Sequence, residues 1–323
     1  MDIRYLTIAI PTFNRPDKVR RLCSEIYKQV SSQGLEDRVT ILVSDNSDKL
    51  SIDDTYQHIN RIVYVRNTLE SSYDNNIINL FENCKTDYMW LFGDDDLLEE
   101  DAIKNVLAVL DSEEFDLALV PFRQPEELTK LPYQESEIVR SNYKHAEKVD
   151  LILKSGKLSS YIFNTKNIKK MKINYTNNHS LGWMHIVVAF DTLLLSKDQK
   201  LITLNFFGGR SKNQETEQLE WVPLAFSYIT SLLKHPYVKS NTNFLFRMNK
   251  VKSYKHAEII LTLYGVTGFW KVKDMDTYVR YARRIGWSNN LLLDPRLVVL
   301  FFILKLNISW TIKLLGLFLR KKL

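Results

Sequence analysis

An α/β fold, a parallel sheet covered by helices and followed by a mainly helical C-terminal extension, is the class this sequence predicts. Three observations carry it. Short apolar runs alternate with segments of helical period through the first half of the chain, as strand–helix–strand units require. Several of these runs are closed by proline or by small polar residues, the residues that stop strands and start turns. Residues 215–290 read as mainly helical, with Tyr, Trp and Phe spread through them and no internal repeat at a fixed period.

Leu6 to Ile10 is a buried-type strand stopped by Pro11, which has no N–H for a ladder. Pro16 sits where a first helical turn tolerates it. Val19, Leu22, Cys23, Ile26, Tyr27 and Val30 then recur at helical spacing as one apolar stripe. Val39 to Val43 is the second strand, ending in the turn-forming cluster Ser44-Asp45-Asn46-Ser47, and Ile62 to Val65 is a shorter third. Asp74 to Phe81 reads as a helix, Tyr88 to Phe92 as a strand, Asp101 to Leu110 as a helix, and Leu117 to Val120 as a strand closed by Pro121. From 122 to 150 the sequence turns polar and irregular, and beyond Leu158 the alternation is lost. Asp294-Pro295 can cap and open a last helix. The expected division is 1–214 for the α/β domain, 215–295 for the helical extension and 296–323 for a basic amphipathic tail.

Forty-five per cent of the 323 residues are hydrophobic, enough for a core, which excludes a disordered or low-complexity chain. There are 44 Lys and Arg against 38 Asp and Glu, a formal charge of +6. Arg296, Lys305, Lys313, Arg320, Lys321 and Lys322 lie in the tail, which has no acid. The rest of the chain is therefore neutral, and the charge gives no argument for nucleic acid as a partner. Residues 297–304 are apolar but too few to span a bilayer, which takes about 20. On a helical wheel Lys305, Ser309, Lys313, Gly316 and Arg320 share one stripe while Trp310, Leu314, Leu317 and Phe318 face away, the pattern of a helix lying in an anionic membrane interface. Cys23 and Cys84 are too few for a disulfide framework, and the first residues lack the basic-then-apolar form of a signal peptide. The expected location is cytoplasmic, peripheral at the inner face of the cell membrane.

The strongest chemical signal is Tyr88-Met89-Trp90-Leu91-Phe92-Gly93-Asp94-Asp95-Asp96, an apolar strand running into three carboxylates. In extended chain residues two apart face the same way, so Asp94 and Asp96 are expected to project together. That suits Mn²⁺ or Mg²⁺, which takes one or two carboxylates from protein and the rest from water and phosphate. The bland alternative is that the acids favour the dipole of the next helix. Asp45 ends the second strand as the triplet ends the fourth, and Pro11-Thr12-Phe13-Asn14-Arg15-Pro16 follows the first. Ligands of open α/β sheets bind at the carboxyl ends of strands.

These segments together, Thr7-Ile8-Ala9-Ile10-Pro11-Thr12-Phe13-Asn14-Arg15, Val43-Ser44-Asp45-Asn46-Ser47 and Gly93-Asp94-Asp95-Asp96, resemble the signature of glycosyltransferase family 2, whose proteins share the GT-A fold. Tyr73-Asp74-Asn75-Asn76-Ile77 followed by Tyr88 to Asp96 is similar to the abequosyltransferase-like branch, which works in O-antigen assembly. The resemblance is good over about residues 5–100 and thins beyond 122. It implies transfer of a sugar from a nucleoside diphosphate sugar to a hydroxyl of a lipid-linked or surface glycan, with inversion. Pro11, Thr12, Asn14 and Arg15 would line the nucleotide pocket and Asp45 would hold the base, with Asn46, Asn75 and Asp95 beside them. Asp94 would sit at the ribose, and Asp96 with Asp94 would bind Mn²⁺ or Mg²⁺.

The family's catalytic base is an Asp in a Glu-Asp pair, and none occurs between residues 150 and 215. Asn178-His179-Ser180-Leu181-Gly182-Trp183-Met184-His185-Ile186 stands there instead. His185, opening an apolar helical stretch and titrating near neutral pH, is the expected base, with Asp191 and His179 as fallbacks. Gly208-Gly209-Arg210-Ser211-Lys212 is expected to be a hinged loop bringing Arg210 and Lys212 to the diphosphate. Trp183, Tyr161 and Trp221 are as readily core as sugar platforms. A nucleotidyltransferase would call for a Gly-rich loop after the first strand, and Pro11 to Pro16 has no Gly. A non-catalytic sugar-nucleotide-binding module is the other alternative.

Overall fold

In a computed structural model the described residues are 5–47, 62–66, 72–123, 139–170, 183–211, 232 and 235–247. Two compact units are present, Met1–Asn213 with His235–Thr242, and Gln214–Lys234 with Asn243–Leu323. Every element named below belongs to the first. The expected helical extension and basic tail lie outside the described residues. Among the described residues no helix is long and apolar enough to cross a membrane.

The strands are β1 (Leu6–Thr12), β2 (Val39–Asp45), β3 (Ile62–Arg66), β4 (Tyr88–Leu91), β5 (Asp96–Leu98), β6 (Leu117–Leu119), β7 (Phe122–Arg123), β8 (Val139–Arg140), β9 (Tyr161–Asn164), β10 (Leu201–Leu204) and β11 (Gly209–Ser211). The helices are α1 (Pro16–Ser32), α2 (Tyr73–Asn83), α3 (Ala102–Ser112), α4 (His145–Lys154), α5 (Thr165–Lys170), α6 (Met184–Leu195) and α7 (Pro236–Asn241). The main sheet has the order β3-β2-β1-β4-β9-β6-β10-β8, and a second sheet the order β5-β11-β7. β1 runs parallel to both β2 and β4, and β2 parallel to β3. All seven residues of β1 are buried, as its central place among parallel strands demands.

Three features depart from the sequence reading. β9 enters antiparallel between β4 and β6, so the sheet is mixed. α1 buries Val19, Leu22, Cys23, Ile26 and Val30 but leaves Tyr27 exposed, because Tyr27 stands at the edge of the stripe, where its phenol stays in water. A ten-residue helix, α4, begins inside the stretch 122–150 that reads as irregular and runs past its end. Its buried face is Lys148, Val149, Ile152 and Leu153, and the lysine is what blurs the period. The Lys148 ammonium donates to the Gln199 carbonyl at 2.6 Å, so its stem packs inside while its head is satisfied.

The core beneath the site is aromatic. Trp90 and Phe92 meet edge to face at 5.3 Å, and Phe92 meets Phe122 at 5.6 Å. The Trp90 indole N–H donates to the Ser159 carbonyl at 2.8 Å. That bond joins the end of β4 to a short 3₁₀ turn, Leu158–Ser160.

Candidate functional site

Because β1, β2 and β4 are parallel, their carboxyl ends open on one rim. Thr12 and Asp45 are register partners at the ends of β1 and β2, and Phe92 beyond β4 donates its N–H to the Ala9 carbonyl at 2.9 Å. The chain then turns through Asp94 and Asp95 before β5 begins at Asp96. The Thr12 hydroxyl donates to Asp94 Oδ2 at 2.8 Å. Arg15 Nη1 reaches Asp94 Oδ1 at 3.1 Å and Asp95 Oδ2 at 3.4 Å. Burial pushes the Asp94 carboxyl above the usual carboxylate range, against the pull of the Arg15 guanidinium and the Thr12 hydroxyl.

The second strand end is knitted into the same rim. Asp45 Oδ1 accepts from the Ser47 amide at 2.8 Å and from the Ser47 hydroxyl, and Asp45 Oδ2 accepts from the Tyr64 hydroxyl at 2.7 Å. Asn14, in the left-handed region at φ 53°, donates its amide to Ser47 Oγ at 2.7 Å. An asparagine is among the few side chains that tolerate that conformation. Asn46 donates its amide to the Thr12 carbonyl and its carboxamide to the Ser72 carbonyl, while Asn76 makes the reverse pair. Ser72 caps α2 by accepting the Asn75 amide. Pro11, Thr12, Asn14, Arg15, Asp45, Asn46, Asn75, Asp94 and Asp95 thus stand on one rim. Asn46 Oδ1 and Asn76 Oδ1 are buried without a hydrogen-bond partner among the described residues.

Asp94 and Asp96 do not project together. The turn at Asp94-Asp95 breaks the two-residue period, so Asp94 goes to Thr12 and Arg15 while Asp96 goes to the opposite wall. There Lys157 Nζ lies 2.7 Å from Asp96 Oδ1, and the Ser159 hydroxyl donates to Asp96 Oδ2. Ser159 Oγ also accepts the Gly93 amide at 2.8 Å. Desolvation raises the Asp96 carboxyl above its ordinary range, and Lys157 opposes it. Asp95 Oδ1 and Asp96 Oδ2 converge instead, lying 3.3 and 3.1 Å from the point where a Gly93 side chain would begin, with Ser159 Oγ at 3.4 Å. A side chain at position 93 would crowd these three oxygens, and the Asp95 side chain is 29% exposed. Among the described residues no group of three His, Cys, Asp or Glu is arranged to hold a metal; an ion held by these two carboxylates would need its other ligands from water and phosphate.

Gly208 and Gly209 are no hinge. β11 is a strand, paired with β5 so that Ser211 faces Asp96 and Arg210 faces Leu97. A side chain at Gly208 would fall 2.6 Å from Trp90 and Val120, and one at Gly209 2.5 Å from the Leu97 carbonyl. Close backbone approach, and not freedom, is what requires glycine here. Arg210 is exposed on this strand, and Lys212 lies outside the described residues, as do His179 and Trp221.

His185 does not fit the role of a general base. The residue is 4% exposed, its Nε2–H donates to the Gly156 carbonyl at 3.3 Å, and its Nδ1 accepts from the Tyr73 hydroxyl at 3.0 Å. Trp183 stacks on it and Tyr161 meets it edge-on. Burial lowers its pKa to about 4, so both nitrogens of a neutral ring are spent holding structure. Asp191, about 9 Å further along α6 by helical rise, pairs with His235 Nε2 at 2.9 Å. Lys157 and Ser159, which stand against Asp96, are absent from the candidates the sequence offers, and Gly156 to Ser160 shows no spacing that could have marked them.

Residues 7–190, more than half of the chain, match the glycosyl transferase family 2. The chain belongs to that family. Within it, the chain is 29% identical over 116 residues to the abequosyltransferase RfbV of Salmonella typhimurium, a match covering 33% of this chain and 33% of that protein. The chain thus spans about a third of the length of the curated relative it matches. This family 2 chain also has the fold of S. aureus TarS 1–349, with a TM-score of 0.60 and 11% identity over 99% of this chain and 92% of that one. The mannosyltransferase PcManGT from Pyrobaculum calidifontis, in complex with GDP-Man and Mn²⁺, gives 0.54 and 9% over 97% and 87%. Both show the GT-A architecture expected from the sequence.

Proposed function

We propose that this chain is a metal-dependent glycosyltransferase that moves a sugar from a nucleoside diphosphate sugar to a hydroxyl of a lipid-linked or surface glycan, with inversion. The observation that carries the reading is the single network Thr12–Asp94–Arg15–Asp95, which joins the loop after β1 to the acidic turn after β4. Arg15 is placed to pair with phosphate oxygens.

Asp95 and Asp96, flanking the bare Gly93, would hold Mn²⁺ or Mg²⁺. Bound there, the ion supplies charge that offsets the leaving diphosphate. Relatives in fold crystallise with UDP and with GDP-Man and Mn²⁺, and the likeness to an abequosyltransferase supports a glycan acceptor. We extend the proposal to the unit boundaries at about 214 and 295, and to membrane contact through 296–323, which rests on six cations and no acid. Deleting 296–323 moves the protein to the soluble fraction if that contact holds.

Thermal shift against uridine, cytidine, thymidine and guanosine diphosphates, each with and without Mn²⁺, tests the donor reading. One of them raises Tm in a Mn²⁺-dependent way, and its sugar conjugate is consumed. No shift with any of the four, and no transfer, sinks it.

A further inference from the structure

Among the described residues Arg15 and Lys157 are seen against the carboxylates of the acidic turn, and of these two Arg15 comes from the strand-end loops. Lys157 comes from the opposite wall. Its Nζ is 2.7 Å from Asp96 Oδ1 and 5.2 Å from the centre of the Phe122 ring, a face that attracts an ammonium. The backbone delivering it is held on both sides. The Gly156 carbonyl accepts from the His185 ring, and Trp183 packs 3.0 Å from where a Gly156 side chain would begin. The Lys157 carbonyl accepts the Ser160 amide at 3.1 Å, and Ser159 ties the same turn to Gly93 and Asp96. The Lys157 side chain is 26% exposed while that of Asp96 is 5% exposed, so the lysine has more room to move toward water than the carboxylate it pairs with.

We propose, resting on the donor reading above, that Lys157 is the resident cation of Asp96 and makes ion binding depend on the donor's diphosphate. An ammonium and a divalent ion on one buried carboxylate repel each other strongly where the dielectric is low. An ion entering between Asp95 and Asp96 therefore competes with Lys157. The displaced ammonium, still anchored by the Gly156–Ser160 turn, faces the edge where a diphosphate carries more than one negative charge, and pairs with it. Linkage is reciprocal: if the diphosphate favours the displaced lysine, the ion that displaces it favours the diphosphate, typically by about 5–150-fold. Lys157 is thus a positioning residue that couples the two ligands. It keeps the site closed to a bare ion and opens it to an ion that arrives with donor.

The test uses the full chain as wild type, Lys157→Met and Lys157→Arg, with Mn²⁺ affinity read from the free-ion EPR signal and folding checked by circular dichroism. With Mn²⁺ alone, Lys157→Met binds at least about fivefold tighter than wild type, and Lys157→Arg stays within about twofold. In the presence of the nucleoside diphosphate giving the largest thermal shift, wild-type Mn²⁺ affinity rises at least about fivefold and that of Lys157→Met rises far less. A lysine with a merely structural role would change Tm and leave Mn²⁺ affinity alone, so equal affinities in the three folded proteins overturn the proposal. Should Lys157→Met fail to fold, Lys157→Gln, which keeps a hydrogen bond to Asp96, takes its place under the same criterion. If no nucleotide binds wild type, the donor reading fails, while the Mn²⁺-alone comparison still decides whether Lys157 competes at Asp96.

Discussion

The near side of the rim and its far wall are built in opposite ways. On the near side Thr12, Arg15, Asp45, Asn46 and Asp94 sit at or just beyond the ends of three parallel strands, and Arg15 and Asp95 keep substantial exposure. On the far wall Lys157, Ser159, His185 and Gly209 come from later segments, and Ser159, His185 and Gly209 are buried. The near side presents groups to a ligand. The far wall holds the acidic turn in shape, through Ser159 and Lys157 on Asp96 and His185 on Gly156. Substitutions on the near side should therefore cost chemistry, and those on the far wall, Lys157 apart, should cost folding.

Asp95→Asn gives the sharpest contrast. Transfer should fall about 10²- to 10³-fold, the range for losing one preorganised electrostatic contact, while urea unfolding shows stability within about 0.5 kcal/mol of wild type. A large loss of stability would erase the distinction between the two sides.

His185 should show the reverse. Above pH 6.5 its imidazole is neutral in folded and unfolded chains and contributes nothing to pH dependence. Between 6.5 and about 4 the unfolded chain binds a proton that the folded one refuses, so stability falls with pH by about 3 kcal/mol in all. Asp94 and Asp96, raised by burial, act with the opposite sign. The His185 share is therefore read as the difference between wild type and His185→Gln in urea curves across pH 4–7. An identical pH profile in the two proteins would mean the ring is not held neutral.

Gly209→Ala comes next. Its methyl would meet the Phe122 ring and the Leu97 carbonyl, and a backbone oxygen cannot swing aside. Overpacking of this kind costs about 2 kcal/mol, measured by chemical denaturation, and a hinge would have cost nothing. The smallest effect is expected of Thr12→Val, which removes a hydrogen bond to Asp94 and should cost about 1.5 kcal/mol. Its loss of nucleotide affinity, measured by calorimetry, should exceed its loss of stability.

Much of the near side was legible because its residues follow strands whose apolar runs and proline stops are local signals. Thr12, Asp45 and Asp94 could be put on one rim from strand order alone, and α1 could be drawn from its period. The far wall could not be read this way. Lys157 and Asp96 are 61 positions apart in number, and no spacing in Gly156 to Ser160 announces that they meet. α4 was hidden by a buried lysine whose partner is the Gln199 carbonyl.

By itself the sequence determined the strand ends, the family signature and the three carboxylates, because propensity and period act over a few residues. Tertiary structure alone decided how those carboxylates are shared out. A turn at Asp94-Asp95 parts Asp94 from Asp96, a wall from residues 156–160 supplies the cation and hydroxyl on Asp96, and enclosure by Tyr73, Tyr161 and Trp183 makes His185 a neutral strut. Charge, solvation and pKa depend on which distant groups arrive within a few ångströms, and only the folded chain sets that distance.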